Sequence, residues 1–495
     1  MEYIKELEKF CKDSFSKENS VVIPIYLEFD FNKHQIHDVW RFIAKKYPYS
    51  FFFSKKFDLS SKDKNTYMGY NPSKIIIREK DKNYIIEHGK KSQSGESIDA
   101  LINLELNKKK FMDPNFPNFT GGFVASFGYE SISLNEKIPV YPLEKGDFPE
   151  VVLMLFETIF VINEEKNSLR IFNNIQIDPG HTLKTKIEDS KKVINNAYSA
   201  LLKMSIAPNN KIFKSNPSHS NHTKLEYCKK VNKAKEYIKK GDVFQIVLSQ
   251  KFERRTEVIP SEVLFALKEI NPSPYLFHYK FGNFNIIGSS PELLIKSING
   301  KIKVKPIAGT RKMSLKKDEN KKIAKELLKD EKEMAEHLML IDLGRNDVGR
   351  VSKIGSVNLI KKMEIEFYSH VMHIVSEVEG EKNNDLDFFD IFFSGFPAGT
   401  VTGAPKIRAM ELINELEPCR RGFYSGGIGL IDYSKDFDSC IAIRSMQIHK
   451  NKATFQAGAG IVFDSIPENE YQECINKLIV LERALTIAEQ GKISL

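Results

Sequence analysis

No stretch of this sequence runs for about 18 positions without a polar side chain, which excludes an ordinary membrane-spanning helix. The opening residues, MEYIKELEKFCKDSFSKE, have neither an apolar signal core nor a small-residue cleavage site, so no export leader is expected. Cysteine is scarce. Cys11, Cys228, Cys419, Cys440 and Cys474 are scattered without CxxC spacing or paired histidines, which argues against structural zinc and for a reducing cytoplasm. Basic charge is in excess, 74 Lys and Arg against 65 Asp and Glu for a net +9, but it is not concentrated. Runs such as KKDENKKIAKELLKDEKE interleave both signs, whereas a nucleic-acid face needs its lysines clustered. There is no internal repeat and no long low-complexity tract. What remains is a globular chain, 41% hydrophobic and 11% aromatic, whose 495 residues exceed one ordinary core.

From Val21 to Asn173 the pattern is one of short apolar strands, VVIPIYLEFDF, SKIIIREK, GGFVASFGYE and VVLMLFETIFVI, separated by polar breaks such as NKKKFMDPNFPNF. HDVWRFIAKKY and IEDSKKVINNAYSALLKM have helical periodicity. APNNKIFKSNPSHSNHT, residues 207–223, is rich in Asn, Ser and Pro and reads as a linker or surface loop. It divides the chain nominally into a β-rich region at 1–206 and a second region at 224–495. The second opens with the amphipathic helix KLEYCKKVNKAKEYIKKGD, with Gly241 near its end, and a strand VFQIVLSQKFERR.

Two Glu-x-x-Glu units stand far apart, Glu333 with Glu336 and Glu470 with Glu473. On a helix this spacing puts both carboxylates on one face, where they repel unless a cation or solvent lies between them. Two such helices brought together suit a hard cation such as magnesium; taken alone, either unit also fits a solvated helix face. Glycine-bounded loops follow strands in KPIAGTR, FPAGTVTGAPKIRAMELI and FQAGAGIV. In the second of these, Pro405 suits a first helical turn, whose free N–H groups attract an anion. Arg444 and Lys477 add positive charge, and together these elements suggest a site for a small polyanion.

PIAGTR, DEKEMAEHLMLIDLGRNDVGRV, YSHVMHIVS, FPAGTVTGAPKIRAMELI, DSCIAIRS and QAGAGIVFDSIPENEYQEC, in this order, resemble the chorismate-utilising enzymes, nearest to the anthranilate-forming branch. The resemblance is strong from Leu225 onward and weaker through NTYMGYNP and FTGGFVASFGYE. It implies an α+β fold, a large two-sheet antiparallel sandwich flanked by helices. It also implies Mg2+ as cofactor, held by Glu336 and Glu473, with Glu333 and Glu470 acting through water. Arg444, Tyr424, Lys477 and the Gly458–Ala459–Gly460 backbone would hold the substrate's negative charge, with Thr310 and Gly309 beside it. Glu292 would be the general acid, a role that needs a raised pKa. His373 would assist the elimination step, and Thr400 would position substrate.

Within this family the enzymes that add water carry a lysine base where this chain has Gln245, and the aminodeoxychorismate-forming ones carry a lysine where it has Ala308. Neither residue here is a base or a nucleophile, so the resemblance implies ammonia as nucleophile and anthranilate as product. No glutaminase segment with a cysteine in a glycine-rich turn is visible, so a separate glutamine amidotransferase subunit is expected. The resemblance further implies tryptophan as inhibitor, held by Ser54, Asn271, Pro272, Ser273, Pro274, Tyr275, Leu276 and Cys440. Phe53 replaces the glutamate usual in that motif, so weaker binding is expected.

Overall fold

The apolar runs of both sequence regions pair into the same two sheets. In the computed structural model, which describes residues 2–15, 20–31, 36–55, 63–144, 146–180, 182–203, 211–314, 316–368 and 371–492, one sheet has 13 strands and the other 12. Strand Tyr49–Ser54 lies antiparallel to Tyr275–Phe281, with Phe53 opposite Phe277. Strand Gly122–Phe127 lies antiparallel to Gly427–Asp432 in the second sheet. Nearly all pairings are antiparallel, the short Lys109–Lys110 strand beside Val21–Asp30 being an exception. The architecture is α+β, two large sheets with flanking helices.

Alternation explains the packing, because successive side chains of a strand point to opposite faces. Phe51, Phe53 and Phe277 of the first sheet and Ile428, Leu430 and Cys440 of the second meet in one buried cluster between the sheets. Each buried aromatic or aliphatic side chain of this kind contributes about 1.5–3 kcal/mol. On the outer face of the first sheet, helix Pro467–Glu489 packs against strand Lys452–Ile461 and helices Lys224–Lys240 and Pro260–Ile270. Helix Glu331–Gly349 packs against strands Ile307–Lys312 and Val371–Glu381.

Local chemistry fixes the helix ends. Thr223 and Glu226 form a reciprocal capping box, and Gly241 ends that helix at φ +84°. The Asp330 side chain accepts from the N–H groups of Lys332 and Glu333 and so sets where the first Glu-x-x-Glu helix begins. Residues 207–210 of the expected linker lie outside the described residues. From 211 onward it is tied down, with Phe213 N–H donating to the Glu489 carbonyl at 2.8 Å and His219–Ser220 pairing with strand Gln245–Arg255.

Candidate active site

A cavity of about 560 Å³ opens where the ends of both sheets meet the two acidic helices. Strand Gln245–Arg255 pairs with Lys452–Ile461, and their shared face presents Gln245, Gly458 and Gly460 to the cavity. A side chain at Gly460 would strike the Gln245 amide, its Cβ coming within 2.6 Å of Nε2. Ala459 points the other way, into the apolar core, fully buried. The expected contact of Ala459 with substrate is therefore limited to its backbone, since its neighbours occupy the cavity face.

Glu292 follows strand Phe284–Ser290 and leads into another strand, Leu293–Ile298. Its Oε1 accepts a hydrogen bond from Thr400 Oγ1 at 2.7 Å. Burial pushes the Glu292 pKa up to about 7, against the opposing pull of Thr400, Lys477 and Arg444. A carboxyl group so placed is about half protonated near neutrality and has the chemistry to donate a proton to a leaving group. Thr400 belongs to the short helix Gly399–Thr402, which sits tightly on the helix Glu331–Gly349 because Gly399 has no Cβ to meet Leu343.

Arg444 occupies the left-handed region at φ +51°, a conformation unfavourable for a residue with a Cβ. Its guanidinium reaches the cavity partly buried, with no salt bridge among the described residues, and burial holds its pKa down against Tyr424, Glu292 and Glu473. That is a prepared seat for an anion. Lys477 Nζ donates to the Gly458 carbonyl at 2.7 Å and pairs with Glu473 at 2.7 Å. Tyr424 is buried beside Gly458.

His373 lies on strand Val371–Glu381 opposite Thr310. A bulge between Ala308 and Thr310 puts Gly309 at φ +59° and turns its carbonyl onto His373. His373 Nδ1 lies 3.2 Å from that carbonyl and 3.1 Å from Thr310 Oγ1. A carbonyl only accepts, so Nδ1 holds the proton and Nε2 keeps a free lone pair. Burial lowers the His373 pKa, which keeps the ring neutral and basic. Tyr368 meets the ring edge-on at 5.3 Å.

Glu333, Glu336, Glu470 and Glu473 line the same cavity. Burial raises the Glu336 pKa, and Glu333 and Glu473 raise it further; Glu470 is raised by burial and by Glu473. Such mutual repulsion, with oxygen the only donor atom, suits a hard dication in chemistry. The set is not closed into a ligand cage: among the described residues no three acidic, His or Cys side chains converge on one point. Internal cations lie among these carboxylates: Arg311 pairs with Glu333 at 2.8 Å and with Asp330 at 2.8 Å, and Lys477 pairs with Glu473 at 2.7 Å.

Gln245, Glu292, Gly309, Thr310, His373, Thr400, Tyr424, Arg444, Gly458, Gly460, Lys477 and the four glutamates thus gather around one space. Pro405 precedes the helix Lys406–Leu416, whose first residues do not line the cavity, so the expected anion seat at that helix start gives way to Arg444. Arg311 and Gln456 were not singled out from the sequence. Each ends or begins a quoted motif, PIAGTR or QAGAG, and that adjacency was the available signal.

Ser54, Asn271, Pro272, Ser273, Pro274, Tyr275, Leu276 and Cys440 lie away from the cavity. Ser54 pairs with Leu276 across neighbouring strands, Asn271 and Ser273 share a turn, and Tyr275 and Cys440 join the cluster between the sheets. Phe53 packs there as well, its ring 6.0 Å from that of Tyr275.

Residues 54–483 match the family described as chorismate binding enzyme. The chain is 42% identical to anthranilate synthase component 1 of Acetivibrio thermocellus over 86% of its own length and 87% of that protein. It is 36% identical to aminodeoxychorismate synthase component 1 of Bacillus subtilis, over 84% of this chain and 88% of that one. The crystal structure of anthranilate synthase component I from Streptococcus pneumoniae superposes with a TM-score of 0.75 at 36% identity, covering 86% of this chain and 93% of that chain.

Proposed function

The chain belongs to the chorismate binding enzymes, and on that footing we propose that it converts chorismate and ammonia to anthranilate and pyruvate, a lyase reaction that commits chorismate to tryptophan. One observation carries the choice of product. Ala308 and Gln245 line the same cavity as Glu292, His373 and Arg444, and neither has a basic or nucleophilic atom. An aminodeoxychorismate-forming reaction would lack the lysine it needs at position 308, and an isochorismate-forming one the base it needs at 245.

Chorismate carries two carboxylates, and Arg444 with Tyr424 and the Lys477 ammonium offers one of them a seat. Glu336 and Glu473, with Glu333 and Glu470 beside them, would hold a Mg2+, whose positive charge would neutralise the other carboxylate. Glu292 protonates the ring hydroxyl as ammonia adds to the ring, so that the hydroxyl leaves as water. The neutral Gln245 amide and the small Ala308 leave ammonia unprotonated and give it room. His373 Nε2 then takes a ring proton as the ring C–O bond breaks and the side chain departs as the enolate of pyruvate, which gains a proton on its methylene carbon, and the ring becomes aromatic.

Ammonia reaches the site from a glutamine amidotransferase subunit in a heteromer. The component numbering in the relatives' names supports this reading. Feedback by tryptophan at the residues between the sheets completes the assignment. A cytoplasmic location is supported by five free cysteines and by the lack, among the described residues, of a helix long and apolar enough to cross a membrane. The test is to supply purified protein with chorismate, Mg2+ and either ammonium or glutamine. Turnover with ammonium, and with glutamine only after a glutaminase subunit is added, is the expected pattern. Full glutamine-dependent turnover by the isolated chain would refute the partner assignment.

A further inference from the structure

Pro418 holds the backbone of Glu417 extended, at φ −82° and ψ +142°, and so ends the helix Lys406–Leu416. Four residues on, Arg421 closes back onto Glu417: its Nε donates to Oε2 at 2.9 Å and its Nη2 to Oε1 at 2.7 Å. Both are buried, Arg421 to 2% exposure and Glu417 to 4%. Stability alone does not select such a pair, since well-packed apolar side chains of similar volume often serve as well. The other bonds of the pair say what it holds. Strand Gln245–Arg255 pairs at Ile246 with Gly403 and at Phe252 with Ser220. Between those points Arg421 Nη2 donates to the Val247 carbonyl at 2.8 Å. There too Glu417 Oε1 accepts from the Ser249 N–H at 2.8 Å and the Ser249 hydroxyl at 2.7 Å, so the pair takes the place of a neighbouring strand. Arg421 Nη1 donates to the Val401 carbonyl at 2.7 Å. The guanidinium carbon also lies 5.7 Å from the centre of the Tyr424 ring, within cation–π range.

Arg421 does not line the cavity, but Val247, Val401 and Tyr424 do. Val401 directly follows Thr400, the donor to Glu292, and Tyr424 stands beside Gly458 at the carboxylate seat. A guanidinium suits this task because its planar fork aims five N–H groups in fixed directions. Here Glu417 takes two of them, Val247 and Val401 one each, and the Ser425 hydroxyl lies 3.4 Å from Nη1. We propose that Arg421 is a positioning residue for the reaction of this cavity: it touches no substrate, and by clamping Val401, Val247 and Tyr424 it keeps Thr400 on Glu292 and holds the carboxylate seat in register with them. Which reaction is served rests on the proposed function. Once Val401 is released, Thr400 loses its place, and Glu292 loses the donor that stabilises its ionised form. Lys477 and Arg444, the charged groups facing Glu292, are left unchanged.

The pH profile of kcat/KM, taken on the full chain at constant free ammonia, tests this. Arg421→Lys keeps the charge and loses the fork. It should lower kcat/KM by about 10²-fold, as a small misplacement of reacting groups does, and move the alkaline limb to higher pH. Thr400→Val should move the limb in the same direction. With both substitutions together the limb should stand where Thr400→Val alone puts it, because both act through one hydrogen bond. A structural Arg421 would lower activity and leave the limb in place; that result, or limb shifts that add, overturns the proposal. If Arg421→Lys does not fold, Glu417→Gln combined with Arg421→Met removes both charges at once and keeps an acceptor for Ser249, and the same limb shift is expected. Failure of both proteins to fold would make Arg421 a stability residue and also overturn the proposal. The two readings fail separately. A product other than anthranilate from the unmodified protein refutes the proposed reaction, whereas an unmoved limb refutes the role of Arg421.

Discussion

Thr400 donates a 2.7 Å hydrogen bond to Glu292, stabilising the ionised form of a carboxyl group that burial has pushed up to about 7. Removing the donor should therefore raise the Glu292 pKa further. Thr400→Val is expected to shift the alkaline limb of the kcat/KM profile to higher pH, measured at constant free ammonia. A merely structural Thr400 would lower activity without moving the limb.

Glu292→Gln should lose about 10²–10⁴ in kcat, the range for a general acid. It should also gain stability in alkali. The folded pKa, about 7, lies above the ordinary carboxyl value, so the protonated form favours the fold below that ordinary value and the benefit is lost as pH rises through 7. The Tm of the unmodified protein should fall over this window, and that of Glu292→Gln should fall less. Parallel Tm profiles would contradict the assignment of Glu292 as a buried acid.

Arg444 combines a left-handed backbone with a cationic group facing the cavity. Arg444→Gly should relieve the strained conformation, raising Tm, while raising the KM for chorismate by about two orders of magnitude through loss of a charge-assisted carboxylate contact. An unchanged KM would make Arg444 structural.

Glu336 is repelled by Glu333 and Glu473. Glu336→Gln should stabilise the metal-free protein slightly and abolish Mg2+ binding, read by calorimetry in the absence of chorismate. A solvated helix face would change neither.

Much of the site was legible because its residues sit in long ordered motifs, and those motifs carry the geometry. Apolar runs between polar breaks placed the strands from Val21 onward, and Gly241 placed a helix end; Thr223, read as the last residue of the linker, caps that helix instead. Other features depend on contacts between residues distant in sequence. Nothing local to Phe53 says that Phe277 lies opposite it. Nothing local to Arg311 says that its guanidinium pairs with both Glu333 and Asp330. Ala459 was grouped with its glycine neighbours as a motif, although strand alternation turns it to the opposite face. Phe53 marked a departure from the family, but only the packing shows Lys55 and Asp438 meeting behind it.

The identity of one product decides which reaction the cavity carries out. The purified chain should be incubated with chorismate, Mg2+ and ¹⁵N-ammonium, and the aromatic product identified by NMR and mass spectrometry. Anthranilate carrying ¹⁵N on the ring carbon next to the carboxylate, with one pyruvate released for each, is the predicted result. Aminodeoxychorismate or isochorismate would contradict the roles given to Ala308 and Gln245.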